Sequence, residues 1–240
     1  MQITTDRSVP NDRKLQTDEV TAALTVAIHQ HRIAPGTKLG EDELAEIFGV
    51  SRTIIRAALQ SLAHLQLVEV QRNRGAFVAQ PSVREANEVF EARELVEPRT
   101  AHTAAMRATK SDIKRLRKHI AEEHAALARS DSGAALHLSG LFHVEIARIA
   151  DQTTITRFVE ALVARSSLII ALYWRRESAL CEEHAHHELV DAIAKGDGVR
   201  AGELMHSHLV RLHNALDLTE AAPTLLSLKE ALSGRAVLGV

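Results

Sequence analysis

The chain has 240 residues, Lys+Arg 29 against Asp+Glu 31 for a formal net charge of −2, 45% hydrophobic content, 11 Gly and 5 Pro. This composition supplies a packed core and excludes a low-complexity chain, while near-neutrality means that any nucleic-acid binding must come from a local basic patch. A single cysteine, Cys181, excludes an internal disulfide framework and a thiolate metal cluster. With no apolar run of about 18 residues and no signal-like amino terminus, the expectation is a cytoplasmic protein that does not engage a membrane.

Residues 1–16 are polar, contain Pro10 and show no period, which reads as a flexible arm. After a Thr17/Asp18 capping signal, Val20, Leu24, Ala27 and Ile28 recur at helical spacing and predict a first helix that stops before Pro35-Gly36. A short helix follows near Glu41 to Phe48, with Gly49 suited to its left-handed end, and Ser51 opens a third helix running to about His64. Leu67 to Gln71 and Ala76 to Ala79 read as strands joined by Arg72-Asn73-Arg74-Gly75, whose Asn and Gly suit a tight hairpin.

Beyond Gln80-Pro81, long amphipathic windows predict helices near Val83 to Ala108, Ser111 to Arg129, Ala134 to Ala150, Ile155 to Arg176, Ala179 to Lys195 and Asp197 to Leu218. The expected fold is mainly α: a winged helix-turn-helix with a small β-hairpin over 17–80, then an all-helical antiparallel bundle over 81–240.

A helix that enters the major groove needs short polar and cationic side chains near its amino-terminal end. Ser51, Arg52, Thr53 and Arg56 meet that need, and Arg72, Arg74 and Gly75 in the hairpin could reach a neighbouring groove. Over residues 51–74, Arg52, Arg56, Arg72 and Arg74 stand against Glu69, a local +3, whereas the nine basic and nine acidic residues of 1–80 cancel. Double-stranded DNA is the implied partner.

All the histidines except His29, His31 and His64 fall in the bundle. Helical phase turns His143, His186 and His208 inward and leaves His184 and His206 towards solvent. One inward histidine is ordinarily a hydrogen-bonded core residue. Three on separate helices point to a shared divalent cation, zinc, nickel or a similar imidazole-binding metal. Arg93 also faces inward, in phase with Ala86, Val89, Val96 and Thr100, where an unpaired charge is costly. Its partner is either Glu97 one turn later or the carboxylate of a ligand.

The stretch GVSRTIIRAALQSLAHLQLVEVQRNRGAFV resembles the helix-turn-helix signature of the GntR superfamily. FEARELVEPRTAHTAA, LFHVEIARIA, HHELVDAIAKGD and AGELMHSHL resemble successive helices of the FCD effector domain of its FadR subfamily. The resemblance implies that Arg52, Thr53 and Arg56 contact operator DNA, that Gly75 lies at the wing tip, and that the carboxy-terminal domain dimerises and binds a small organic acid. Family metal ligands match Ser139, His143, His186 and His208, so Ser139 stands where the family has Asp. A cation there would lack that charge and keep an open position, to be completed by an effector carboxylate. Arg93, Glu97 and Ser139 are therefore the expected effector contacts. Asp42 is a second departure, since many relatives carry a basic residue in that helix.

The expected function is a ligand-responsive, homodimeric repressor of transcription and not an enzyme. The alternatives are a regulator that senses the metal itself, or a metal-dependent hydrolase on the three histidines, for which Glu97 is the one clear inward carboxylate.

Overall fold

A computed structural model describes residues 9–174 and 185–218, with 228 and 232. Contacts divide the chain into one unit built on the residues up to Ile28 with Arg32–Ala79, and a second built on His29–His31 with Gln80–Pro223.

The first unit opens with α1, Val9–His29, which begins inside the stretch expected to be an arm. Pro10 lies in its first turn, where the missing N–H has no intrahelical partner to lose, so the proline does not delay the helix. α2 (Glu41–Phe48) stops at Gly49, whose φ of 63° is the left-handed cap expected there, and the Val50 N–H returns to the Ala45 carbonyl. α3 (Arg52–His64) buries Ile55, Ala58, Leu59 and Leu62 on one face and exposes Arg52, Arg56 and Gln60 on the other. Ser51 has the extended backbone of an N-cap, but its side chain makes no capping hydrogen bond.

β2 (Val68–Gln71) and β3 (Gly75–Val78) pair antiparallel, with Gln71 opposite Gly75. The turn between them is Arg72–Arg74, with Asn73 at φ 60° and Gly75 at φ 96°. A third strand, β1 (Lys38–Leu39), joins the far edge of β3. It was not expected, because two residues carry no alternation that could be read from sequence.

The second unit is a bundle of α4 (Val83–Arg107), α5 (Lys110–Ala128), α6 (Ser132–Ile149), α7 (Thr153–Tyr173), α8 (Ala185–Ala194) and α9 (Gly198–Asn214). Caps set the starts: Ser82 accepts from the Glu85 N–H, Thr109 and Asp112 form a capping box, and Asp131 and Asp197 cap α6 and α9. Residues 175–184, which include the expected start of the α8 helix, Cys181 and His184, lie outside the described residues. α4 packs on α6, α7, α8 and α9, while α5 packs on α6 and α8. Phe142, Leu116, Ile120, Ile146, Leu189 and Met205 belong to one apolar cluster in the bundle.

Two glycines one turn apart bring α9 against α4. A Cβ at Gly198 would lie 3.0 Å from the His102 carbonyl oxygen, and one at Gly202 would lie 3.1 Å from the Pro98 carbonyl oxygen. This close approach positions α9, which carries His208.

Candidate DNA-binding face and candidate metal centre

Ser51, Arg52, Thr53 and Arg56 are exposed along the amino-terminal half of α3, and Arg72, Arg74 and Gly75 are exposed on the hairpin. The Arg74 guanidinium lies over the Phe77 ring, 5.6 Å from its centroid, which braces it along the hairpin. The positive patch is not unopposed. Arg56 forks onto Glu41, its Nη2 donating at 2.7 Å and its Nε at 3.1 Å, and Arg52 lies 3.1 Å from Asp42. Hydrogen bonding from Arg56 lowers the Glu41 carboxyl below its ordinary value, so Glu41 stays ionised. The local +3 counted over residues 51–74 is thus offset in space by two carboxylates of α2, because a count along one segment omits charges brought in by its neighbour.

In the bundle, α6, α8 and α9 bring His143, His186 and His208 together as helical phase predicts. All three are buried, and one nitrogen of each lies within 4.8 Å of the other two. The His186 and His208 Nε2 atoms are 3.4 Å apart. Two carboxylates stand behind the rings. Glu97 approaches His143 Nδ1 at 2.5 Å, and Glu123 approaches His186 Nδ1 at 3.0 Å. A carboxylate can only accept, so each Nδ1 carries the proton and each Nε2 offers a lone pair towards the cluster. His143 Nε2 is buried and has no hydrogen-bond partner.

The charges follow from burial and pairing. Burial alone would raise the Glu97 carboxyl, but Arg93 and then His143 outweigh it and hold it at about 2. For His143, burial is the largest influence and lowers its value, so the ring is neutral beside an ionised Glu97. A neutral imidazole with a bare, buried lone pair is the donor that a divalent cation requires, and this site fits one.

The sequence left two partners open for Arg93, and in the structure it pairs with Glu97. Its Nε donates to Glu97 at 2.6 Å and its Nη1 donates to Ser166 at 3.0 Å. Arg93 and Glu97 thus stand together behind His143, and Glu97 is not among the residues that line the cavity beside His186 and His208. Ser139 does line that cavity, with Glu123, Trp174, His186, His208 and Arg211, around about 60 Å³ of space that is partly open to solvent. A second cavity joins Ser139, His143 and Arg93.

Glu123 and Trp174 were missed as site residues. For Glu123 the signal was present: it lies seven residues after Leu116 and three after Ile120, on the buried stripe of α5. Trp174 gave none, because packing alone accounts for a tryptophan.

The FCD domain model matches residues 88–211, and the model for bacterial regulatory proteins of the gntR family matches residues 16–78. The chain belongs to the gntR family and carries an FCD domain. It is accordingly a transcriptional regulator. Among its relatives, the uxu operon transcriptional regulator of Escherichia coli is 29% identical, with 82% of this chain and 85% of the relative covered. The galactonate operon transcriptional repressor of E. coli is 28% identical over 76% and 89%, and the E. coli repressor RspR is 27% identical over 77% and 81%. Among solved structures, a GntR-type transcriptional regulator from Rhodococcus sp. RHA1 superposes with a TM-score of 0.72 at 23% identity, covering 83% of this chain and 96% of the other. E. coli McbR/YncC gives 0.70 at 21% identity, over 83% and 97%. These two share its fold. No helix among the described residues is long and apolar enough to cross a membrane.

Proposed function

We propose that this regulator acts as a homodimer on a palindromic operator, reading base edges through Ser51, Arg52, Thr53 and Arg56 of α3 and gripping the backbone through Arg72, Arg74 and Gly75 of the wing. The observation that carries this reading is the set of exposed cations and short polar side chains at the amino-terminal half of α3, in a unit matched by the gntR family model. Because Arg52 and Arg56 already pair with Asp42 and Glu41, DNA must exchange those partners for bases and phosphates, which lowers non-specific affinity relative to specific binding.

In the bundle, His143, His186 and His208 would hold a divalent cation, with zinc and nickel suited to three imidazoles. The ion would supply a positive centre and an open position for an anion. A small organic acid is the effector that fits, because position 139 is a serine and contributes no charge. Its carboxylate would face the histidines, and Arg211 and Ser139 line the cavity for its remaining oxygens, with Trp174 as a further wall. A relative named for the operon of galactonate, a polyhydroxy acid, supports this chemistry, and the repressors among the relatives favour repression relieved by ligand. The acid acts only through unequal affinity for the operator-competent and operator-incompetent arrangements, so operator and acid affect each other's binding equally.

Mobility shifts with promoter fragments test the reading. Arg52→Ala and Arg56→Ala should each weaken specific binding by about 1–3 kcal/mol while leaving random-duplex affinity much closer to that of the parent protein. An absence of preference for any promoter over random duplex at moderate salt, with or without candidate acids, would overturn it.

A further inference from the structure

The charge balance of the histidine site turns on a residue that the family resemblance does not nominate. Position 139 holds serine, and Ser139 lines the same cavity as His186, His208 and Glu123. Glu123, on α5, is nearly buried, with 13% of its side chain exposed, and its Oε2 lies 3.0 Å from His186 Nδ1. Glu97 stands in the same relation to His143. Its charge, however, is matched by Arg93, from which it accepts two hydrogen bonds. Glu97 and Arg93 together contribute zero net charge, so Glu123 is, among the described residues, the one carboxylate bonded to a ring of this cluster whose charge Arg93 does not cancel. It is no member of the three-residue ligand group, because its oxygens lie on the far side of the His186 ring from Nε2.

Resting on the proposed metal site, we infer that Glu123 is a positioning residue that replaces, from behind His186, the negative charge position 139 does not supply. It does two things. It fixes the His186 tautomer with the proton on Nδ1, which turns the Nε2 lone pair towards His143 and His208. It also sets one negative charge against a bound dication, so the site with its ion stays net positive and the open position favours a carboxylate.

The test is competitive titration of Zn²⁺ and Ni²⁺ against a chromophoric chelator on the purified full chain, with metal content counted per chain. Glu123→Gln keeps the shape and one acceptor oxygen, removes the charge and turns the other oxygen into a donor. It should weaken metal binding about 10- to 100-fold, with the metal-free melting temperature close to that of the parent protein. Ser139→Asp should raise metal affinity more in that variant than in the parent protein, a non-additivity that a merely structural role of Glu123 would not give. Histidine ¹⁵N spectra of the metal-free parent protein give a second readout should the variant fail to fold, and they should show His186 protonated on Nδ1. If the parent protein takes up neither ion, the proposed metal site itself fails. If it binds one ion per chain and Glu123→Gln changes affinity less than about three-fold, or if His186 carries its proton on Nε2, the site stands and the role of Glu123 is overturned.

Discussion

Glu97 illustrates how single residues decide this bundle. Its side chain is 2% exposed and that of Arg93 is 3% exposed, so the pair has given up nearly all its hydration. Such a pair adds little net stability over an apolar substitute, but removing one member leaves the other charge buried without compensation. Glu97→Gln should therefore destabilise the protein by about 3–5 kcal/mol in denaturant unfolding, and it removes the negative charge that favours the proton on His143 Nδ1. On the same helix, Arg84 and Glu88 make an i,i+4 pair at 2.8 Å with side chains 89% and 58% exposed. Breaking that pair with Arg84→Gln should leave the denaturant midpoint close to that of the parent protein, because water already screens it. Equal losses in the two variants would refute the assignment of Arg93 and Glu97 to the interior framework. Geometry alone does not separate them, since both contacts are short; burial does.

At the scale of elements, the approach of α9 to α4 is set by what Gly198 and Gly202 lack. Gly202→Ala gains about 0.5–1 kcal/mol of helix propensity and pays a tight contact at the Pro98 carbonyl oxygen, so it should be nearly neutral. Gly202→Val adds branching at that contact and should cost about 1–3 kcal/mol and shift His208, read as a lower melting temperature together with weaker Zn²⁺ uptake. A stable Gly202→Val variant with unaltered metal uptake would contradict this account of the helix pair. Neither glycine announced itself in the sequence, because a small residue on a polar-looking stretch of α9 carries no mark of the helix it will meet. Much else was legible locally. Ser82, Thr109, Asp131 and Asp197 are capping residues, and the helix starts predicted nearby differ by only a few residues from those observed. Phase alone found His143, His186 and His208, because burial of one face is what a 3.6-residue period encodes. The Arg56–Glu41 fork and the Glu123–His186 contact were not legible as pairs, since each joins two elements whose relative placement no periodicity specifies.

For the molecule as a whole, a net charge of −2 at neutral pH rests on histidines being uncharged, and several of them resist protonation in the fold. His29 is the clearest case. Burial, then the neighbouring His137 and His31, lower it from 6.5 to about 4, and the His29 and His137 rings lie 5.5 Å apart. His31 and His137 are also lowered, in each case chiefly by burial. A base whose folded value is depressed binds its proton more readily when the chain unfolds. Between pH 6.5 and 4 the unfolded chain therefore holds a proton at His29 that the folded chain does not, and stability must fall with pH through that window. The full His29 share is about 3 kcal/mol, 1.36 kcal/mol for each pH unit of the interval. In urea unfolding with chelator present, to keep metal ligation out of the balance, the parent protein should lose stability steadily from pH 7 towards pH 4. His29→Gln has no proton to take up at that position and should lose about 3 kcal/mol less across the same range. Above pH 7 the two curves should run parallel, because neither state of the parent protein titrates His29 there. Parallel curves below pH 6 as well would mean that His29 is as accessible to protons in the fold as in the unfolded chain, and that acid sensitivity arises elsewhere.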